Sequence, residues 1–264
     1  MMTPAELDLR QYAVQGLVAE VSVMALDYFH RKESLGVSMK GAQDWLTVAD
    51  GAVEAVLRER IGVLFPQDAI VGEEGGGAAA DVTWIIDPID GTANFARGER
   101  NWCISVGLVV KGVPEIGIIS APSLEEVYVG RRGQGATLNG APIGVSGGSD
   151  VRRAYFEMGW STRIPLDAYL AMVRKAFEAG ASVKRSASGA LGLCHVATGR
   201  TDGYAELHIN AWDVAAGMVI AGEAGAVMND FFAGEGMRKG NPILCCTPGL
   251  ANEFEAITGI ISRR

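Results

Sequence analysis

Apolar residues recur every three to four positions in two stretches of the chain, at residues 5–31 and again after Thr47. That spacing predicts two amphipathic helices, each with one buried stripe. Thr47 is typical of a helix N-cap. Asp50 would then lie in the first turn, where a carboxylate interacts favourably with the helix dipole. From its position alone, Asp50 could equally well be a surface residue or a functional one.

Short apolar runs between turn residues predict strands in the middle of the chain. Residues 69–72 and 84–86 are two such runs. We expect the second strand to end at Pro88, because proline has no N–H to give to a strand ladder. Further runs within residues 102–130 favour an antiparallel or mixed sheet. Beyond residue 150 strands and helices alternate, which is typical of a layered α/β domain.

Composition narrows the class of protein. The 264 residues are 48% hydrophobic and 20% charged, as in a folded globular enzyme and unlike a disordered chain. A formal net charge of -8 argues against nucleic acid as a partner, since backbone phosphates require a positive patch. No apolar run reaches the ~20 residues of a membrane span, and no signal-peptide core is present. Four cysteines without metal or disulfide spacing predict reduced thiols and a cytoplasmic protein.

The densest candidate chemistry follows the predicted strand at residues 84–86. Asp87 and Asp90 lie three positions apart, and Gly91 and Thr92 come next, where a helix would begin. Free N–H groups at a helix start bind anions, most often phosphate. Carboxylates beside a phosphate repel it unless cations lie between them. The pattern therefore implies metal ions.

Two more acidic residues, Glu73 and Asp213, are candidate functional residues only in the context of their neighbours. Glu73 ends the strand predicted at residues 69–72, just before three glycines that predict a mobile loop. Pairing of that strand with the next one would make Glu73 a third carboxylate at the same point. Asp213 opens a predicted helix of small residues, where it could equally be an ordinary helix-start aspartate.

The runs at residues 87–95 and 212–217 resemble the two signatures of the inositol monophosphatase family of Mg2+-dependent, lithium-sensitive phosphatases. The resemblance extends from Lys40 through the closing segments. It implies an α/β (α+β layered) fold, the αβαβα sandwich shared with fructose-1,6-bisphosphatase, and a homodimer. We expect an N-terminal α+β subdomain at residues 1–148 with most metal ligands. A C-terminal α/β subdomain at residues 149–264 would carry Asp213 and the specificity residues.

The family pattern also implies a set of metal ligands. Glu73, Asp87 and the backbone carbonyl of Ile89 would hold one Mg2+ ion. Asp87, Asp90 and Asp213 would hold a second, so that Asp87 bridges the two. A third and weaker ion would lie on the Glu73 side. All-oxygen ligation suits a hard cation such as Mg2+.

The resemblance assigns the remaining roles around the phosphate and the alcohol. Asp50 and Thr92 match the pair that orients and activates the attacking water, with Glu73 beside them, and the N–H groups of Gly91 and Thr92 would fix the phosphate. Three further residues match positions that contact the substrate or lie near the metal site: Ser188, Glu206 and Lys40. Ala187 departs from the family pattern, which has glycine before Ser188. The loop at residues 159–163 is another candidate wall of the substrate site.

These inferences predict a phosphomonoesterase that hydrolyses inositol monophosphate, a small-molecule phosphate ester. Histidinol-phosphate phosphatase, fructose-1,6-bisphosphatase and nucleotide 3'-phosphatase share the metal site and stay open as alternatives. Glu206 suits the hydroxyls of a polyol ring, and it would also suit a cationic amine. A regulatory binding role is the alternative from another class. His195 and the cysteines have no part in this scheme, and we attribute them to core packing.

Overall fold

The computed structural model describes residues 2–31, 38–41 and 44–263. These residues form eight α-helices: α1 (Pro4–His30), α2 (Val48–Leu64), α3 (Thr92–Arg97), α4 (Leu166–Glu178), α5 (Gly189–Ala197), α6 (Ala211–Glu223), α7 (Gly236–Lys239) and α8 (Ala251–Thr258). The amphipathic pattern thus predicted both N-terminal helices correctly. None of the described helices combines the length and apolar character that a membrane span requires.

The strands belong to two larger sheets and one small ribbon. The ribbon pairs β1 (Ser38–Gly41) with β2 (Asp44–Leu46). The first sheet contains seven strands in sequence order: β3 (Ala69–Gly72), β4 (Val82–Asp90), β5 (Cys103–Val110), β6 (Val113–Ala121), β7 (Glu126–Arg131), β8 (Gly135–Leu138) and β9 (Ala141–Pro142). The second contains β10 (Tyr155–Met158), β11 (Ser182–Lys184), β12 (Gly203–Ile209), β13 (Val227–Met228) and β14 (Asn241–Cys246), in the order β11-β10-β12-β14-β13.

Both sheets are mixed. The strands within residues 102–130, for which we expected an antiparallel or mixed sheet, pair antiparallel. In the first sheet β3 and β4 run parallel and every later pair is antiparallel. The parallel pair brings the ends of β3 and β4 to the same edge. Glu73 therefore lies beside the end of the strand that carries Asp87, and its N–H donates to the carbonyl of Ile86 at 3.3 Å.

Three hydrophobic cores hold five layers of helices and sheets together. The first core packs α1 and α2 against the outer face of the first sheet, through residues such as Leu57 and Trp84. The second contains α5 and α6 between the two sheets. The third packs α4 and α8 on the far face of the second sheet, through residues such as Phe156 and Phe254. This is the predicted αβαβα sandwich.

A row of glycines in the first sheet allows α6 to pack closely against it. Gly107, Gly117 and Gly130 are direct neighbours across β5, β6 and β7. A Cβ atom on Gly117 would lie 2.1 Å from the carbonyl oxygen of Ala216 in α6, which no native contact allows. The missing side chains let the helix backbone approach the sheet, and this helix carries Asp213 at its start.

The prediction that a strand ends at Pro88 is wrong. β4 continues to Asp90, and its register against β5 shifts between Asp87 and Asp90. Between these two pairs, two residues of β4 (Pro88 and Ile89) lie opposite one residue of β5 (Ile104), which is a bulge with one extra residue. Proline is tolerated at a bulge because the ladder is already interrupted there.

Candidate active site

The bulge in β4 explains how Asp87 and Asp90 act together. Side chains three positions apart in a regular strand point to opposite faces, because the period is two. The extra residue restores both carboxylates to one side. Ile89 donates its N–H to Asp87 Oδ1 at 3.0 Å, which fixes the turn within the strand. Both carboxylates are buried.

Asp213 completes a cluster of three carboxylates. Asp87, Asp90 and Asp213 each offer one oxygen, and the three oxygens lie within 4.8 Å of one another. Asp213 is in the first turn of α6, where Asn210 donates its N–H to Asp213 Oδ2 at 3.0 Å. It is therefore a helix-start aspartate and a member of the cluster at the same time.

Burial and mutual repulsion raise the pKa values of the cluster. Burial raises the pKa of Asp87, and the charges of Glu73 and Asp90 raise it further. Burial raises the pKa of Asp213, with Asp90 as the next cause, and burial also raises the pKa of Asp90. A cation among these oxygens would remove the repulsion, and a carboxylate donor set suits Mg2+. The residues present therefore fit a hard divalent ion.

Asp90 is held by the start of α5. Ser188 Oγ donates to Asp90 Oδ2 at 2.5 Å, Ala190 donates its N–H at 2.7 Å, and Gly189 donates to the other oxygen at 3.3 Å. Ser188 is buried and also caps the helix. We predicted Ser188 as a substrate contact; it lines the cavity, and its hydroxyl proton is committed to Asp90. Its role as the helix cap could have been predicted from the sequence, because serine is a preferred N-cap residue.

The residue before Ser188 carries backbone strain. Ala187 has φ +61°, a left-handed conformation that favours glycine, because a Cβ atom crowds the following carbonyl. Alanine in place of the family's glycine therefore restricts the backbone at this position as well as adding a side chain. The strained residue lies on the wall of the cavity.

Asp50 and Thr92 face one another beside the cluster. Thr92 Oγ lies 3.2 Å from Asp50 Oδ1 and 3.0 Å from the carbonyl oxygen of Ile89. Asp50 Oδ2 accepts from the N–H of Thr47 at 2.8 Å and from its hydroxyl at 2.6 Å. Asp50 is fully buried, so the surface interpretation is wrong. Burial raises the pKa of Asp50 to about 6.

A cavity of about 440 Å3 lies beside the cluster, and Asp90 and Asp213 line it. Glu206 on β12 lines it and accepts from Tyr204 OH at 2.7 Å. Burial raises the pKa of Glu206 to about 7, although Arg185 opposes the shift. Gly159 and Trp160 lie on the same wall, where the loop at residues 159–163 was expected.

Glu73, Gly91 and Thr92 also line this cavity. Gly91 caps α3 at φ +94°, and a Cβ atom there would lie 2.9 Å from the carbonyl oxygen of Asn101. The backbone of Lys40 is in β1, and its side chain lies outside the part of the chain that the structure describes. Its proposed substrate contact stays a prediction.

A polar network on the cavity wall was not predicted from the sequence. Glu157 is buried and lines the cavity. Its carboxylate lies 2.9 Å from His195 Nδ1 and 3.1 Å from Lys184 Nζ, and it accepts from the N–H of Ser186 at 3.2 Å. His195 is therefore part of a hydrogen-bond network, and simple core packing was an incomplete account of it. The four cysteines are free and buried, as expected.

Comparisons with known proteins identify the family and the fold. The inositol monophosphatase family model matches residues 7–258, and the chain belongs to that family. The Nus factor SuhB of Haemophilus influenzae is 37% identical over 228 residues, which cover 84% of this chain and 85% of the relative. Among solved structures, the IMPase of Thermotoga maritima has a TM-score of 0.85 and 28% identity, covering 95% of this chain and 96% of the other. The inositol monophosphatase from Anabaena has a TM-score of 0.80 and 32% identity, with the same coverage.

Proposed function

We propose that this protein is a Mg2+-dependent phosphomonoesterase that hydrolyses inositol monophosphate. The observation that carries the proposal is the cluster of Asp87, Asp90 and Asp213 beside an open cavity, with the Thr92–Asp50 pair next to it. Family membership supports the same reaction class. Five paired or clustered polar groups beside one cavity are difficult to explain by stability alone, because a carboxylate whose pKa is raised by burial lowers the stability of the folded state when it is ionised.

Two Mg2+ ions would be held by the predicted ligands, with a third on the Glu73 side. Glu73, Asp87 and the Ile89 carbonyl form one set, and Asp87, Asp90 and Asp213 form the other. When bound, the ions neutralise the phosphoryl charge and make water a better nucleophile at neutral pH. The residues themselves hold the ions at the end of β4, beside the cavity.

Thr92 and Asp50 orient the attacking water. A hydroxyl has one proton to donate and two lone pairs. When the Thr92 hydroxyl donates its hydrogen bond to Asp50, its lone pairs are available to the cavity and accept from a water molecule. As the water passes a proton to Thr92 Oγ, Thr92 passes its own proton to Asp50 Oδ1. Asp50, with its second oxygen fixed by Thr47, is the final acceptor of the proton that the water loses.

The phosphate and the alcohol occupy opposite ends of the cavity. The N–H groups of Gly91 and Thr92 hold phosphate oxygens, as helix starts commonly do. Glu206 accepts hydrogen bonds from ring hydroxyls of a polyol such as inositol. Its pKa of about 7 allows a neutral alcohol as readily as a cationic amine, so histidinol phosphate is the nearest competitor.

Phosphate release from a panel of esters tests the proposal. The panel contains inositol-1-phosphate, histidinol phosphate, fructose-1,6-bisphosphate and adenosine 3',5'-bisphosphate, each with Mg2+ and with chelator. We expect Mg2+-dependent release with inositol-1-phosphate preferred by orders of magnitude in kcat/KM. Preference for another ester would replace the substrate, and no release from any of them would refute the reaction class.

The resemblance adds two expectations for the same protein. Lithium at millimolar concentration should inhibit by occupying a vacated metal position. The chain should form a homodimer in solution, which light scattering measures directly. Full activity in lithium would indicate a departure from the family mechanism, and a monomer that retains activity would show that dimerisation is dispensable.

A regulatory binding role is the second candidate. It is favoured by one observation, the name Nus factor that the Haemophilus influenzae relative carries. An inactive variant separates the two functions. If Asp87→Asn abolishes phosphate release but a regulatory phenotype of the host persists, the binding role is independent of catalysis.

A further inference from the structure

One face of α2 presents a polar stripe toward the acidic site. Asp50, Glu54 and Arg58 follow one another at intervals of four residues, so they lie on the same face of the helix. Asp50 contacts Thr92 at the start of this stripe. Glu54 and Arg58, one and two turns later, contact the segment that follows β3 and carries Glu73.

Glu54 is a buried carboxylate that binds backbone. It is 2% exposed. Its Oε2 accepts from the N–H of Glu74 at 2.8 Å, and its Oε1 accepts from the N–H of Gly75 at 2.6 Å. Burying a charge without partners is very unfavourable, so these bonds and the neighbouring arginine are what allow a carboxylate at this position.

Arg58 completes the arrangement from the next turn of the helix. Its Nε lies 2.7 Å from Glu54 Oε1, and its Nη2 donates to the carbonyl oxygen of Gly76. Glu54 and Arg58 thus hold two N–H groups and one carbonyl of the same turn. Gly72 also donates its N–H to the Gly76 carbonyl at 3.0 Å. Gly75 and Gly76 therefore belong to a hydrogen-bonded turn that is bound to α2. The mobile loop that we expected at residues 75–77 stays a prediction.

The glycines on either side of Glu73 make room for this pair. A Cβ atom on Gly72 or on Gly75 would lie 2.7 Å from Glu54 Oε1. The backbone before and after Glu73 is therefore packed directly on the Glu54 carboxylate. Glu73 has little freedom to translate without breaking these contacts, since its own N–H is also bonded to Ile86.

We propose that Glu54, with Arg58, is a positioning residue that sets divalent-ion affinity by fixing the backbone of Glu73 opposite Asp87. The inference rests on the proposed function, because Glu73 is a metal ligand only in that scheme. Neither Glu54 nor Arg58 lines the cavity among the described residues. Their effect passes through the Glu73 turn, in the way that outer partners tune the ligands of metal sites.

Mn2+ titration followed by electron paramagnetic resonance tests this directly, because free Mn2+ is counted independently of catalysis. The variants are Glu54→Ala and Arg58→Ala, and Glu59→Ala is the matched control on the exposed side of the same helix. We expect Glu54→Ala to weaken Mn2+ binding by about tenfold or more. Arg58→Ala should weaken it less, because the backbone bonds to Glu54 remain, and Glu59→Ala should bind as the wild type does.

Activity gives a second and separate readout. In Glu54→Ala the Mg2+ concentration for half-maximal rate should rise with the Mn2+ dissociation constant, while KM for the phosphate ester at saturating Mg2+ stays near the wild-type value. A merely structural residue would lower the folded fraction and leave the affinity of the folded molecules unchanged. Wild-type Mn2+ affinity in folded Glu54→Ala would overturn the inference.

The remaining outcomes separate this inference from the proposed function. If Glu54→Ala does not fold, Arg58→Ala decides, because Arg58 is partly exposed and its side chain is not part of a core. Unchanged affinity in folded Arg58→Ala would then overturn the inference. A wild-type protein that binds Mn2+ but hydrolyses none of the esters would refute the proposed function alone.

Discussion

The residues around Asp90 fix the orientation of one carboxylate in the proposed ligand set. One carboxylate accepts from the hydroxyl of Ser188 and from two N–H groups at the start of α5. These donors satisfy part of its charge and define its orientation, yet burial still raises its pKa. Asp90 is thus rigid before any cation binds, which lowers the entropy lost when an ion is coordinated.

At the same scale, removing the charge of Asp50 should slow the reaction without weakening substrate binding. Asp50→Asn keeps the shape of the side chain but cannot take up a proton. We expect kcat to fall by roughly 100-fold or more, as for loss of a general base, with KM little changed. Steady-state kinetics measures both, and Asp81→Asn on the exposed surface is the control. A change confined to KM would make Asp50 a binding group.

The elements position the site because α6 lies directly on the glycine row of the first sheet. The presence of the main strands and helices could be predicted from the spacing of apolar residues, since long periodic segments are a strong local signal. The bulge at Pro88 could not be predicted in this way, because the register of β4 depends on its partner β5. The contacts of Glu54 with the Glu73 turn were equally invisible, since they join residues about twenty positions apart through the fold.

An alanine in the glycine row should lift α6 from the sheet. In Gly117→Ala the new Cβ would lie 2.1 Å from a backbone oxygen, so the helix must shift. Overpacking of this kind typically costs about 1–3 kcal/mol. We expect a lower free energy of unfolding in urea together with weaker Mn2+ binding, because Asp213 moves with α6.

The control for that variant is Gly16→Ala. Gly16 lies in α1, where an added Cβ atom would meet no neighbouring atom within 4 Å, and alanine favours the helix by roughly 0.5–1 kcal/mol. This variant should be slightly more stable and bind Mn2+ normally. Equal stability of Gly117→Ala and the wild type would contradict the close packing of α6.

Across the whole molecule, the acidic cluster couples stability to pH and to cations. Burial raises the pKa values of Asp87, Asp90 and Asp213. The metal-free native state therefore binds more protons than the unfolded chain, and its stability falls as pH rises through these raised values. Cations that bind only the folded state oppose this loss.

We expect the metal-free protein to have a lower Tm at pH 8 than at pH 5, and Mg2+ to raise Tm more at pH 8. Thermal scans in chelator and in Mg2+ at both values measure the effect, with Na+ at equal ionic strength as the control. An unchanged Tm on addition of Mg2+ at pH 8 would mean that the cluster does not bind the ion.

The fold class and the cluster could be predicted at this scale because two short motifs, far apart in sequence, resemble one family. Ala187 shows where such a prediction stops. Its substitution was visible in the sequence, but the left-handed backbone that makes it strained was not. The cavity wall built by Glu157 and Ser186 likewise depends on packing between β10, α5 and the loops, which no local pattern encodes.

The most direct test of the account is phosphate release from inositol-1-phosphate by wild type and Asp87→Asn across a Mg2+ titration. Asp87 is the shared ligand in the proposed scheme, so its replacement should abolish turnover at every Mg2+ concentration while circular dichroism stays unchanged. We predict saturable Mg2+ dependence in the wild type and no measurable rate in the variant. Normal turnover by folded Asp87→Asn would contradict the metal-dependent mechanism.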